Sequence, residues 1–298
     1  MRTSPYFEAR GYSPSKGHPL HPYVRSIFRA RAWQAYRNET ILPTGSVDIL
    51  FNLGEPLRIL RELPTPEMVF GRGAWVTGIS ETYVTTEPVG QVDLLGVSLH
   101  AEACTSILRL PAHELANRCV EGTEVFADLS ALAERLSEMP GFEEQCEHLI
   151  RWTMCKLQPG RATHSVLHAC RLLRSSAEGP RVSETARELA MSPRHLRRLL
   201  VEYVGVSPAQ YVRLQRFAGV LKAMERPTCG GGRPLLSEVA HAAGFFDQPH
   251  FNREFRSFAA MTPAEYRRRQ RRSPIGHVFA EAGPEAVDDV RLIQSIDT

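Results

Sequence analysis

Two short stretches of this 298-residue chain gather side chains that hydrogen-bond to bases and phosphates. In "PRHLRRLL", Arg194, Arg197 and Arg198 turn away from the helical face that carries Leu196, Leu199, Leu200 and Tyr203. In "GFFDQPHFNREFRSF", Gln248, His250, Asn252, Arg253 and Arg256 are interleaved with Phe251, Phe255 and Phe258. With Phe251 set at zero on a helical wheel, the other two Phe lie within about 40° of it. Asn252 then falls at about 100°, Arg256 at about 140°, Arg253 at about 200° and His250 at about 260°. Apolar faces therefore point inward and polar, basic faces outward. Arg bridges guanine O6 and N7, and Asn or Gln bridges adenine N6 and N7, so these are residue types that read DNA. Arg198 and Arg253 are expected to read bases. Arg194, Arg197 and Arg256 are divided between bases and phosphates, and Glu254 reads as a surface ion-pair partner.

Other chemistry is weaker. His100 and Cys104 stand four apart, as do His164 and His168, a spacing that suits two metal ligands. No third ligand accompanies either pair, so a packed Cys104 beside a surface His100 is expected, with no metal. "HPLHP" (18–22) lacks the downstream His and carboxylate of a cupin iron site, and "CGGGR" (229–233) lacks the Gly-Lys-Ser/Thr of a phosphate loop and reads as a hinge. Trp33, Trp75 and Tyr83 suit barrel core more than an effector pocket. No catalytic residue and no cofactor is expected.

The elements that must position the two DNA-facing stretches can be read locally. "VSETARELAMSPRHLRRLLVEY" and "LSEVAHAAGFFDQPHFNREFRSF" repeat one plan: a short helix with an inner Ala (Ala186, Ala240), a tight turn, then a second helix with Pro near its start (Pro193, Pro249). Ser192 is the expected N-cap of one second helix, and Asp247 or Gln248 of the other. Gly244 sits where left-handed backbone is favoured. Each unit is thus a helix-turn-helix. Between them "VSPAQYVRLQRFAGVLKAM" reads as one long helix capped by Ser207, with Tyr211, Leu214, Phe217, Ala218 and Leu221 inside. It is expected to hold two recognition helices about one DNA turn apart.

Charge agrees with this placement. Residues 181–272 hold 17 Lys and Arg against 8 Asp and Glu, although the whole chain carries only +3. No run of about 18 apolar residues is present, the N-terminus lacks a signal-like apolar stretch, and the six cysteines include no C-x-x-C pair. The cytoplasm is the expected compartment, with no membrane partner. From about 20 to 100 the apolar residues alternate: Val47, Ile49, Phe51 and Leu53 share a face. Helical periodicity follows, with Phe142, Cys146, Leu149, Ile150 and Leu157 on one stripe suited to dimerisation.

The run "ARELAMSPRHLRRLL…GVSPAQYV…SEVAHAAGFFDQPHFNREFRSFAAMTPAEYRR" resembles the DNA-binding domain of AraC/XylS-type transcription regulators. The resemblance covers about residues 163–272. It implies that Arg194, Arg197 and Arg198 occupy contact positions of the first recognition helix, and Gln248, His250, Asn252 and Arg253 those of the second. Ala260 stands where the family has Gly, which puts the turn before Thr262-Pro263 in question, and "ERPTCGGGRPL" lengthens the link between the units. "ILPTGSVDILFNLG" and "GVSLHAEACTSILRLPAHELANR" look like the β-rich N-terminal domain of a group of such regulators whose effectors are mostly unassigned, with "SLHAEA" in place of that group's Phe-Arg-Pro-Gly-like run.

The expected fold is α+β: an N-terminal β-barrel or cupin-like domain with following helices (1–160), an all-α domain of two helix-turn-helix units joined by a long helix (161–275), and a tail (276–298). The expected function is a non-enzymatic, sequence-specific regulator that reads two adjacent major-groove segments of promoter DNA. A small-molecule effector at the N-terminal domain, RNA polymerase and a second copy of the chain are its expected partners. The alternatives are a non-specific architectural DNA binder and a cupin-type enzyme with a DNA-binding appendage.

Overall fold

The computed structural model describes residues 7–32, 38–60, 68–160, 162–175, 182–225, 233–269, 271–273, 276–281 and 290–292. The N-terminal half is built from β1 (Phe7–Tyr12), β2 (Val24–Ala32), β3 (Asn38–Ile41), β4 (Ser46–Asn52), β5 (Leu57–Leu60), β6 (Met68–Phe70), β7 (Gly73–Thr77), β8 (Val84–Pro88), β9 (Val92–His100) and β10 (Cys119–Glu121). Short helices α1 (Cys104–Leu108), α2 (Ala112–Leu115) and α3 (Gly122–Val125) and longer α4 (Leu129–Glu138) and α5 (Phe142–Lys156) accompany them. The C-terminal helices are α6 (Thr163–Ser175), α7 (Val182–Glu188), α8 (Pro193–Val204), α9 (Pro208–Glu225), α10 (Leu236–Ala242), α11 (Gln248–Ala259) and α12 (Pro263–Arg269). Three strands close the chain: β11 (Arg271–Ser273), β12 (Gly276–Glu281) and β13 (Val290–Leu292).

Period-two alternation makes the first sheet two-faced. In β4, Val47, Ile49 and Phe51 are all buried, and Ile49 lies opposite Val97 of β9 and Val76 of β7. Together with Leu95 and Leu99 they build the main core beneath the helices. The other face carries Phe28, Trp75 and Leu94 onto Leu57, Ile59 and Phe70 of the second sheet, a smaller core of its own. Trp75 stacks on Phe70 with ring centroids 4.3 Å apart and donates its indole N–H to the Gly71 carbonyl. It is core, and Tyr83 packs half-buried against the main core; Trp33 lies outside the described residues.

The β-rich domain, its following helices and the all-α C-terminal part are as expected, with one correction. The barrel does not close. Among the described residues the strands run β10-β7-β4-β9-β2-β1-β13 in one sheet and β11-β12-β3-β8-β5-β6 in the other. Each order ends in two edges, so the two sheets face each other as a sandwich. The C-terminal strands rejoin this domain: β12 pairs antiparallel with β3, Val278 opposite Ile41, and β13 lies parallel to β1.

Helix α5 spends its apolar stripe within the chain. Phe142, Cys146, Leu149 and Trp152 are buried, and Arg29 of β2 reaches Gln145 at 2.8 Å while gripping Asp93 through two 2.8 Å hydrogen bonds. No helix of the described residues is long and apolar enough to cross a membrane.

Candidate nucleic-acid interface

The two helix-turn-helix units are α7–α8 and α10–α11. Ser192 has extended backbone and accepts the His195 N–H at 3.1 Å, with Pro193 opening α8. Asp247 does the same for α11, accepting the His250 N–H at 2.7 Å. Each cap satisfies a backbone donor that the helix cannot, which fixes where the recognition helix starts. The turns use left-handed residues, Ala190 at φ 51° and Gly244 at φ 72°. Ser207 caps α9 through the Gln210 N–H. Ala260 keeps the left-handed conformation, φ 56°, at the end of α11. The turn questioned in the sequence is therefore formed, and Ala260 bears the steric cost of a Cβ there.

Inward faces are as the wheel placed them. Leu196, Leu199, Leu200 and Val204 of α8 are buried, as are Phe251, Phe255 and Phe258 of α11. The second unit is held by an aromatic cluster. Phe217 of α9 stacks on Phe258 at 4.8 Å and meets Phe255 edge-on at 5.1 Å, while Tyr266 of α12 meets Phe255 at 5.4 Å.

Outward, Arg194, Arg197 and Arg198 are exposed on α8, and Gln248, Arg253 and Arg256 on α11; His250 and Asn252 are half-buried. Among the described residues Arg253 and Arg256 enter no ion pair, so their charge faces solvent undivided. Arg198 instead touches Nδ1 of His195 at 3.1 Å, and His195 is exposed beside it. Sequence reading passed over His195, although its place between Arg194 and Arg197 was the available signal. His250 is partly spent on structure: its ring meets Phe245 edge-on at 5.3 Å and its Nε2 lies 3.6 Å from Glu254. Glu254 also lies 3.7 Å from Arg213 of α9, whose guanidinium covers the Phe258 ring at 5.1 Å. Glu254 is thus an ion-pair partner that braces α11 on α9.

Behind the first unit lies a partly buried polar contact with the N-terminal domain. Glu102, 4% exposed in the turn 101–103 after β9, pairs with Arg174 of α6. Arg174 also donates to the Tyr211 hydroxyl of α9 at 2.8 Å, and that hydroxyl donates to the second Glu102 oxygen at 3.4 Å. Burial pushes the Tyr211 phenol well above its usual range, so it stays a neutral donor. Around this contact α8 packs on α1, α2 and the turn 101–103. Gly205, at φ 93° just past α8, lies so close that a Cβ there would sit 2.9 Å from the Ala112 carbonyl oxygen. The contact joins residues 72 and 109 positions apart, so no local pattern announced it.

The remaining candidates find structural employment. Cys104 is fully buried with its thiol pushed up to about 12 by burial, which keeps it protonated and a poor metal ligand. His100 is half-buried rather than a surface residue. His18 accepts the Leu20 N–H and His21 bonds the Pro14 carbonyl, so "HPLHP" is a turn. Among the described residues no three His, Cys, Asp or Glu side chains gather as a metal cluster. Residues 226–232 of the long link lie outside the described residues. A cleft of about 90 Å³ is lined by Glu8, Arg10, Arg29, Arg31 and 140–142. Its guanidiniums are already paired with Glu8, Glu143 and Asp93, so it braces α5 on the sheet.

Residues 185–269 match the family described as "Helix-turn-helix domain", and residues 11–121 match a domain of unknown function (DUF6597). No curated protein matches the chain. In fold the chain is similar to ToxT from Vibrio cholerae, with a TM-score of 0.51 at 11% identity over 88% of this chain and 98% of that one. The chain also aligns with an AraC-type transcriptional regulator from Chromobacterium violaceum, 25% identical over 34% of this chain and 88% of that one, TM-score 0.31. A DNA-binding transcriptional dual regulator from Escherichia coli K-12 aligns at 26% identity over 38% of this chain and 99% of that one, TM-score 0.30.

Proposed function

We propose that this chain, whose residues 185–269 match a helix-turn-helix domain, is a one-component transcription regulator of the AraC type, reading two adjacent major-groove segments of promoter DNA with α8 and α11. The observation that carries this reading is the pairing itself. Two capped helices each bury an apolar face and present exposed arginines, on one domain spanned by the continuous helix α9. Arg198 and Arg253 read bases, while Arg194, Arg197, Gln248, His250, Asn252 and Arg256 share base and phosphate contacts.

A small-molecule effector at the N-terminal domain controls the output. Support comes from the Glu102–Arg174–Tyr211 contact and from α8 resting on α1 and α2, which give any shift in that domain a path to the first recognition helix. RNA polymerase is the downstream partner, and the cytoplasm, where promoters are, is the compartment. A homodimer uses a face other than the apolar stripe of α5, which the chain itself buries. No catalytic step is ascribed to the protein.

Selection of bound duplexes from a random pool tests the reading, repeated with Arg198→Ala and Arg253→Ala. Two short enriched blocks about one helical turn apart are expected, each blurred by a different variant. Uniform loss across all sequences, with steep salt dependence and no enriched block, would establish the architectural binder instead.

A further inference from the structure

The second helix-turn-helix differs from the first by one residue. After Ala190 only Met191 precedes the Ser192 cap, whereas after Gly244 both Phe245 and Phe246 precede the Asp247 cap. The two phenylalanines part company. Phe245 is buried, 5.0 Å from the Phe251 ring, with the Arg216 guanidinium 5.4 Å above it. Phe246 is 95% exposed, while the other exposed large apolar side chains among the described residues range from 38% to 63%. A hydrated Phe ring adds nothing to the stability of the fold. Its backbone is nevertheless fixed on both sides, by buried Phe245 and by the Asp247 cap, so the ring is held out from the turn.

We propose that Phe246 is a specificity-determining residue that packs on the C5-methyl group of a thymine in the segment read by α11. It adjoins the N-terminal end of that helix, the end that helix-turn-helix proteins set against base edges. Arg253 and Arg256, exposed on the same helix, supply the charge that draws the duplex in. On the floor of the major groove the thymine methyl is the apolar group available, and a Phe ring is among the side chains that contact it. The first turn has no such residue, so the thymine preference belongs to one of the two segments only. This inference rests on α11 entering the major groove, as proposed above.

The test uses the full chain and the duplex it enriches from a random pool, with each thymine replaced singly by deoxyuridine, which removes only the methyl. Wild-type protein is expected to bind about fourfold more weakly at one position of the block that Arg253→Ala blurs, the effect of one buried methyl group. Phe246→Ala is expected to be indifferent to that substitution, and Phe246→Leu, still apolar, to keep part of the sensitivity. Unchanged thermal melting of Phe246→Ala confirms that it folds. Two enriched blocks with the same deoxyuridine profile for wild type and Phe246→Ala would overturn the role of Phe246 alone. No enriched block would overturn the major-groove reading and this inference together.

Discussion

The first helix-turn-helix unit is walled in and the second is not. Helix α8 rests on α1, α2 and the turn 101–103, next to a buried carboxylate held by Arg174 and Tyr211. Helix α11 is held by its own domain, through the aromatic cluster of Phe217, Phe255, Phe258 and Tyr266, and its turn carries a fully exposed Phe246. One motif is therefore anchored in two ways. The first unit inherits the position of the N-terminal domain, whereas the second inherits that of α9 and α12. Under the effector control proposed above, a shift of the N-terminal domain reaches α8 by direct contact and α11 through α9.

The largest expected effect breaks the anchored side. Arg174→Ala leaves the buried Glu102 carboxylate with Tyr211, and because the arginine itself is 36% exposed the cost should be about 2 kcal/mol, below that of a fully buried pair. Hydrogen exchange should then quicken in α8 well before α11; equal acceleration in both would erase the contrast. Gly205→Ala attacks the same seam sterically, combining a left-handed backbone with a Cβ against the Ala112 carbonyl. It should destabilise by about 2 kcal/mol in a denaturant titration.

On the second unit the sign reverses. Ala260→Gly removes the Cβ penalty at φ 56° and should stabilise by about 1 kcal/mol, raising the melting temperature without altering the bound sequence. Unchanged stability would mean that the lost strain is offset by the greater freedom of Gly in the unfolded chain. The smallest effect is a pH dependence of the seam. Burial, chiefly, holds the His100 imidazole below its ordinary 6.5, opposed by Glu102 and aided by Arg174, Arg25 and His21. The unfolded chain then binds the proton more readily than the folded one. His100 therefore costs nothing above its ordinary pKa, and stability falls as pH drops through 6.5 toward the folded value. His100→Gln should flatten that limb of the stability profile below about pH 6.5.

Much of the DNA-binding half was legible because its determinants are local. Ser192, Asp247 and Ser207 cap helices a few residues away, Gly244 satisfies a turn, and the Leu and Phe faces follow from helical periodicity alone. The alternating Val47, Ile49 and Phe51 were equally readable. Closure of the sheets was not, since alternation gives a strand its buried face but says nothing of which edges meet. The return of 276–281 to pair with β3 was invisible for the same reason.

Taken alone, the amino-acid sequence determined what is set within a few residues: the two capped recognition helices, their arginine-bearing outer faces, the long helix between them and the basic charge they share. Tertiary structure decided which of these elements is restrained. Glu102, Arg174 and Tyr211 acquire a joint role only when chain segments far apart in sequence exclude water from the same place. The carboxylate and the phenol gain their strength from burial beside the partly exposed Arg174, a setting that no single segment carries.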